Sequence, residues 1–146
     1  MSLTTEAREP VAALLERAFR RPPVVGLISA YLFGSHAEER AHRESDVDVG
    51  VLLDRAVHST SRRRFDARVR LSSWLVGVLH CDDVDVVILN DAPPLLGRRI
   101  VAAGRRVFCT DPEADRTFTR DTQLRAADLE PFLRHTRRVK LAAIAR

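Results

Sequence analysis

Residues 31–54, YLFGSHAEERAHRESDVDVGVLLD, constrain this chain more than any other stretch. An apolar run ends in Gly34 and Ser35, ten residues follow, and Asp46 and Asp48 then sit two apart inside a second apolar run. Side chains alternate faces along a strand, so Val47, Val49, Val51 and Leu53 are expected to enter a core while Asp46 and Asp48 share the other face. Their Cα atoms would lie about 6.6 Å apart from the strand rise, and at an effective dielectric of about 20 two such charges repel by roughly 2.5 kcal/mol. A hard, oxygen-seeking ion such as Mg²⁺ offsets that repulsion, because one or two carboxylates, waters and substrate phosphates commonly complete its shell.

Gly34 and Ser35 supply the other half of the pattern. A glycine lets backbone approach a bulky anion, and a serine opening a helix offers a hydroxyl and exposed N–H groups at the positive end of the helix dipole. Residues 36–41, HAEERA, are good helix formers, so a short helix after Ser35 is expected. The parts together predict a nucleoside triphosphate between a phosphate cradle and a metal-holding strand. Either part alone has a plainer meaning, since a Gly-Ser pair is ordinarily a turn and an Asp-x-Asp ordinarily a solvated edge.

The remaining chain reads as alternating helices and strands, an α/β pattern. Periodicity predicts a helix over residues 4–20 capped by Thr4 or Thr5, although Pro10 permits a start near 10. Pro22 and Pro23 end it, and residues 24–33 are apolar enough for a central strand. Residues 60–79 predict an amphipathic helix capped by Ser59 or Thr60, with Phe65, Val69, Ser72, Leu75, Val76 and Leu79 inward. In the apolar run 84–89, Val84, Val86 and Ile88 share one side and Asp85 the other. An acid inside an apolar strand is costly unless paired or bound to metal, which makes Asp85 the candidate third carboxylate. Asp82 and Asp83 are rivals, read as turn residues at the strand's mouth. Asp91 is a candidate cap for a helix burying Leu95, Leu96, Ile100 and Val101; Gly104 closes that helix before a short strand at 105–109. Residues 113–128 and 130–145 predict two helices broken at Glu130-Pro131, a tail expected to fold back on the sheet more readily than to serve a partner.

The motif G-S, ten residues, D-x-D and an apolar run, with the later segment VDVVILNDAPPLLGRRIVAAGRRVF, resembles the DNA-polymerase-β-type nucleotidyltransferase superfamily. Small size narrows the resemblance to the minimal nucleotidyltransferases, the MntA-type antitoxins paired with HEPN-domain toxins. It covers residues 24–109, and it departs where the family often has Gly-Ser-x-Ala-Arg-Gly, since Glu38 and Glu39 follow Ala37 here. The resemblance implies a nucleotidyltransferase-type mixed β-sheet packed with helices, followed by C-terminal helices at 111–146. It implies ATP as donor, Mg²⁺ held by catalytic Asp46, Asp48 and Asp85, phosphates at Gly34 and Ser35, and a tyrosine of a HEPN toxin as the acceptor of AMP. Two alternatives stay open: an antitoxin that neutralises by binding alone, and a nucleotidyltransferase acting on a small aminoglycoside-type molecule.

Composition narrows the classes further. With 146 residues the chain suits a single domain, 1–146, around one core. There is no run of about 18 apolar residues and the first residues are too charged for a secretory signal, so a cytoplasmic protein without membrane contact is expected. Cys81 and Cys109 lack zinc spacing and read as reduced thiols. A net charge of +4 and a pI near 10.0 admit nucleic acid. Lys140 is the only lysine, however, and no aromatic residues interleave the arginines, so runs such as Arg62-Arg63-Arg64 and Arg137-Arg138 read as solvated faces. His36, His42, His58, His80 and His135 share no spacing; His36 alone lies near the phosphate cradle.

Overall fold

Proline sets where the first helix starts. Pro10 has no N–H to lose at a helix entrance, and α1 (Val11–Ala18) begins directly after it. The computed structural model describes residues 9–34 and 46–144. Thr4, Thr5, Ser35, His36, Glu38, Glu39 and His42 therefore lie outside the described residues. Within them α1 is followed by β1 (Leu27–Phe33), β2 (Val47–Leu53), α2 (Ser61–Leu79), β3 (Val84–Ile88), α3 (Pro94–Ala103), β4 (Arg105–Cys109) and α4 (Pro112–Ile144), with one 3-10 turn at Leu89–Asp91.

The four strands form one mixed sheet in the order β3-β2-β1-β4. β1 runs antiparallel to β2 and to β4, whereas β2 and β3 are parallel and joined by the crossover helix α2. Helices cover both faces. Val47, Val49, Val51 and Leu53 enter the larger core with Leu15 and Phe19 of α1 and Leu71 and Leu75 of α2, as the alternation predicts. Trp74 meets Phe19 edge-on there at 5.2 Å between ring centroids. On the opposite face Tyr31, Leu52, Leu89 and Ile100 are buried together, with Phe118 of α4 packed against them. Gly97 lets α3 and α4 approach closely, since a Cβ on it would stand 3.0 Å from Thr122 Cγ2. Among the described residues no helix is long and apolar enough to cross a membrane.

Four sequence expectations change. β1 starts at Leu27 and not at 24, because Gly26 takes a left-handed φ of +74° and leaves Val25 exposed. α2 has the expected span and its Thr60 cap, which accepts from the Arg63 N–H, but its inward line is Arg64, Ala67, Leu71 and Leu75. Phe65 and Val69 face outward at 58% and 50% exposure. Asp91 does not cap α3; Pro93 occupies that position, and Asp91 instead takes Nε of Arg64 at 2.8 Å. Arg64, read as part of a solvated run, is thus buried, with Nη1 donating to the His58 carbonyl at 3.1 Å.

The tail also differs. α4 is one helix of 33 residues that runs through Pro131. Proline interrupts one rung of the ladder, the bond to the carbonyl four residues back. That residue, Ala127, is exposed, so its carbonyl is left to water and the helix continues. Only the first half folds back: Asp115, Thr122 and Ala126 are buried, and no residue of α4 after Ala126 is.

Candidate functional site

Strand register brings two of the three predicted acids side by side, Asp48 and Asp85, while Asp46 precedes the sheet. Asp48 of β2 stands opposite Phe33 of β1 and level with Asp85 of β3. Adjacent strands lie about 4.8 Å apart, so the two aspartates are next to each other on one face of the sheet. Asp46 is exposed just before β2 begins, and Asp48 is half-buried. The backbone carbonyl of Asp83, in the turn leading to β3, ties the two strands at this end by accepting the Val47 N–H at 2.9 Å.

Gly34 follows Phe33 with a left-handed φ of +76°. The left-handed backbone favours glycine here, and a Cβ would fall 2.5 Å from Oδ2 of Asp48 and so displace that carboxylate. The β1 turn is thereby pressed against the middle carboxylate of the motif. Ser35, the other residue of the phosphate pattern, lies outside the described residues.

Asp85 is on the expected side of its strand but not in the expected surroundings. β3 is an edge strand, and the Asp85 side chain is 60% exposed. Its selection as an acid that burial forces to find a partner therefore rested on a premise that the edge position removes. Arg68 of α2 lies 3.7 Å from Asp85 Oδ1 and is itself half exposed. No pattern in the sequence pairs these two, because the pairing depends on how the crossover helix lies over its strand. Together they border an open groove of 590 Å³ that also includes Phe65, Asp91, Pro93 and Leu96. Among the described residues no three His, Cys, Asp or Glu side chains are gathered closely enough to hold a metal ion as they stand.

A polar cluster around one further carboxylate docks α4 on the same sheet and was not legible in the sequence. Asp115, in the first turn of α4, is buried and accepts from Ser29 Oγ at 2.6 Å, Tyr31 Oη at 2.8 Å and Arg106 Nη1 at 3.0 Å. Burial, then the hydrogen bond to Asp115, push the Tyr31 phenol well above its ordinary range. The same carboxylate raises the Arg106 guanidinium. Every buried side-chain polar atom among the described residues has a partner, so this cluster is saturated and serves to dock α4.

Residues 23–113 match the family model described as polymerase beta, nucleotidyltransferase. The chain belongs to this nucleotidyltransferase family. Over 83 residues it is 32% identical to Protein adenylyltransferase MntA of Shewanella oneidensis, an alignment covering 57% of this nucleotidyltransferase and 55% of that protein. The chain thus spans about half the length of that relative. A crystal structure of a toxin-antitoxin with AMP-PNP superposes with a TM-score of 0.65 at 26% identity, covering 93% of this chain and 99% of that one. The MNT antitoxin fold recurs in a complex with the tri-AMPylated Shewanella oneidensis HEPN toxin, with a TM-score of 0.58, 22% identity, and 92% and 99% of the two chains covered. At that identity the likeness concerns the fold.

Proposed function

We propose that this nucleotidyltransferase is an antitoxin of the cytoplasm that moves AMP from ATP to a tyrosine hydroxyl of a HEPN-domain toxin and silences it. The observation that carries the reading is the register of Asp48 with Asp85 beside the Gly34 turn. The relative named a protein adenylyltransferase and the neighbour holding AMP-PNP support the choice of donor and reaction.

Asp46, Asp48 and Asp85 form an all-oxygen donor set of the kind that suits Mg²⁺. When bound, that ion neutralises charge on the triphosphate and on the displaced oxygens. The chain's own residues do the rest. Gly34 and Ser35 receive the phosphates, and Asp85, once turned from Arg68, takes the proton of the tyrosine hydroxyl. The tyrosine oxygen then bonds to the α-phosphorus as the α–β bridging bond breaks, and pyrophosphate leaves. The groove beside Asp85 and Arg68 offers the acceptor segment a path to that carboxylate.

The Arg68–Asp85 pair favours one competing reading, an antitoxin that neutralises by association alone. Incubating the purified pair with ATP and Mg²⁺ separates them. A mass gain of one or more AMP groups on the toxin, lost with Asp46→Asn or Asp48→Asn, is expected. Full neutralisation by those variants with no modification of the toxin would leave only the binding role.

A further inference from the structure

The buried line of α4 does not end where the body ends. Asp115, Thr122 and Ala126 are covered by the sheet and α3, and steps of three and four residues carry an uncharged line on through Leu129, Phe132, Thr136 and Val139 to Ala143, with Leu133, Lys140 and Ile144 flanking it. Past Glu130 nothing of this chain among the described residues covers it. Phe132 is 64% exposed and Ile144 79%. Residues 131–144 project for about 21 Å at the helical rise. The departure point is braced, since Arg98 Nη2 of α3 donates to Glu130 Oε1 at 2.6 Å and lowers that carboxyl's pKa.

Charge changes sign at the same point. Residues 112–130 carry Glu113, Asp115, Asp121, Asp128 and Glu130 against Arg116, Arg120 and Arg125, whereas residues 131–144 carry Arg134, Arg137, Arg138 and Lys140 and no carboxylate. A second copy laid along this helix would bring the same four cations against it. A nucleic acid would answer the charge but not the aliphatic stripe.

We propose that residues 129–144 form a docking helix for an acidic protein surface with an apolar groove. The inference rests on the functional reading above, under which that surface belongs to the toxin; the helix then holds the acceptor protein at a distance from Asp48 and Asp85 on a separate element. Such a helix seats its apolar line in the groove, and its arginines face carboxylates on the rim.

The test uses this chain and the HEPN-domain toxin that the functional reading assigns to it, titrated in a calorimeter at low and high salt. Phe132→Asp with Leu133→Asp is expected to weaken the complex about 30-fold or more, as for central interface anchors. The triple variant Arg134→Glu, Arg137→Glu, Arg138→Glu is expected to weaken it about tenfold and to flatten its salt dependence. Both should melt with the parent chain, because the altered side chains are exposed; for a variant that melts early, Ile144→Ser takes its place. Unchanged affinity in the variants overturns the inference. So does a dimer of the isolated chain that the double variant splits, or sedimentation with phosphatidylglycerol vesicles that the triple variant abolishes while the protein complex persists. If the variants dissociate the complex but the parent chain never adds AMP, the docking helix stands and the catalytic reading falls. If the parent chain forms no complex, both fall.

Discussion

One acid docked against the sheet and three at its strand ends stand in opposite relations to water. Asp115 is buried between α4, which carries it, and the sheet, with Ser29, Tyr31 and Arg106 supplying its hydrogen bonds. Asp46 and Asp85 stand exposed at the strand ends, with Asp48 half-buried between them. A carboxylate whose acceptor sites are filled by the fold has nothing left to offer a ligand, and removing it damages the fold. Carboxylates lined up by register and kept near solvent can lose water to a ligand without disturbing the core. Acidity is shared; burial among three of the chain's own donors marks the dock, and alignment by register near solvent marks the site.

The sharpest way to break this contrast is Asp48→Asn. AMP transfer should fall by at least about 100-fold, the scale on which one electrostatic contact at a reacting centre acts, while the melting temperature stays within a few degrees. A large loss of stability with the activity retained would put Asp48 on the structural side. Asp115→Ala should do the reverse. It leaves two buried hydroxyls without an acceptor and one arginine half hydrated, a cost of about 3 kcal/mol, read as a lower denaturant midpoint with little change in AMP transfer per folded molecule.

Tyr31 sharpens the comparison by pH. It is the only tyrosine, so phenolate absorbance reports it alone. Its folded-state pKa is raised above the ordinary 10.0 by burial and by Asp115. The stabilisation linked to that proton is therefore complete below pH 10.0 and is lost as pH rises through the folded value. Phenolate should appear only with alkaline unfolding, and a titration near the ordinary value in folded protein would contradict the saturated cluster. Tyr31→Phe should cost about 1 kcal/mol, a single net hydrogen bond.

The smallest effect is expected outside both clusters. Phe65→Ser or Val69→Ser should alter stability by no more than about 0.5 kcal/mol, as for exposed positions. A core role for either would cost several times that, so chemical denaturation distinguishes the inward line from the helical pattern that suggested it. Phe65→Ser carries a second reading, since that ring borders the groove beside Asp85. Slower AMP transfer at unchanged stability would mark the groove as the acceptor's path.

Local periodicity was sufficient wherever one residue's role depends on its near neighbours. The alternation in β2, the faces of β3, the Thr60 cap, the closure of α3 before β4 and the Gly34–Asp48 motif could all be read this way, because strand and helix repeats act within a few residues. The polymerase beta nucleotidyltransferase family followed from the same motif.

Everything that depends on which element lies against which needed the folded chain. Sequence spacing could not place Arg68 beside Asp85, turn Arg64 inward toward Asp91, or bring Ser29, Tyr31 and Arg106 to Asp115 across more than eighty residues in the longest case. It also could not show that one face of α4 is covered up to Ala126 and bare beyond it. Helix and strand repeats state which side of an element is apolar, and only packing states whether anything in the same molecule is there to cover that side.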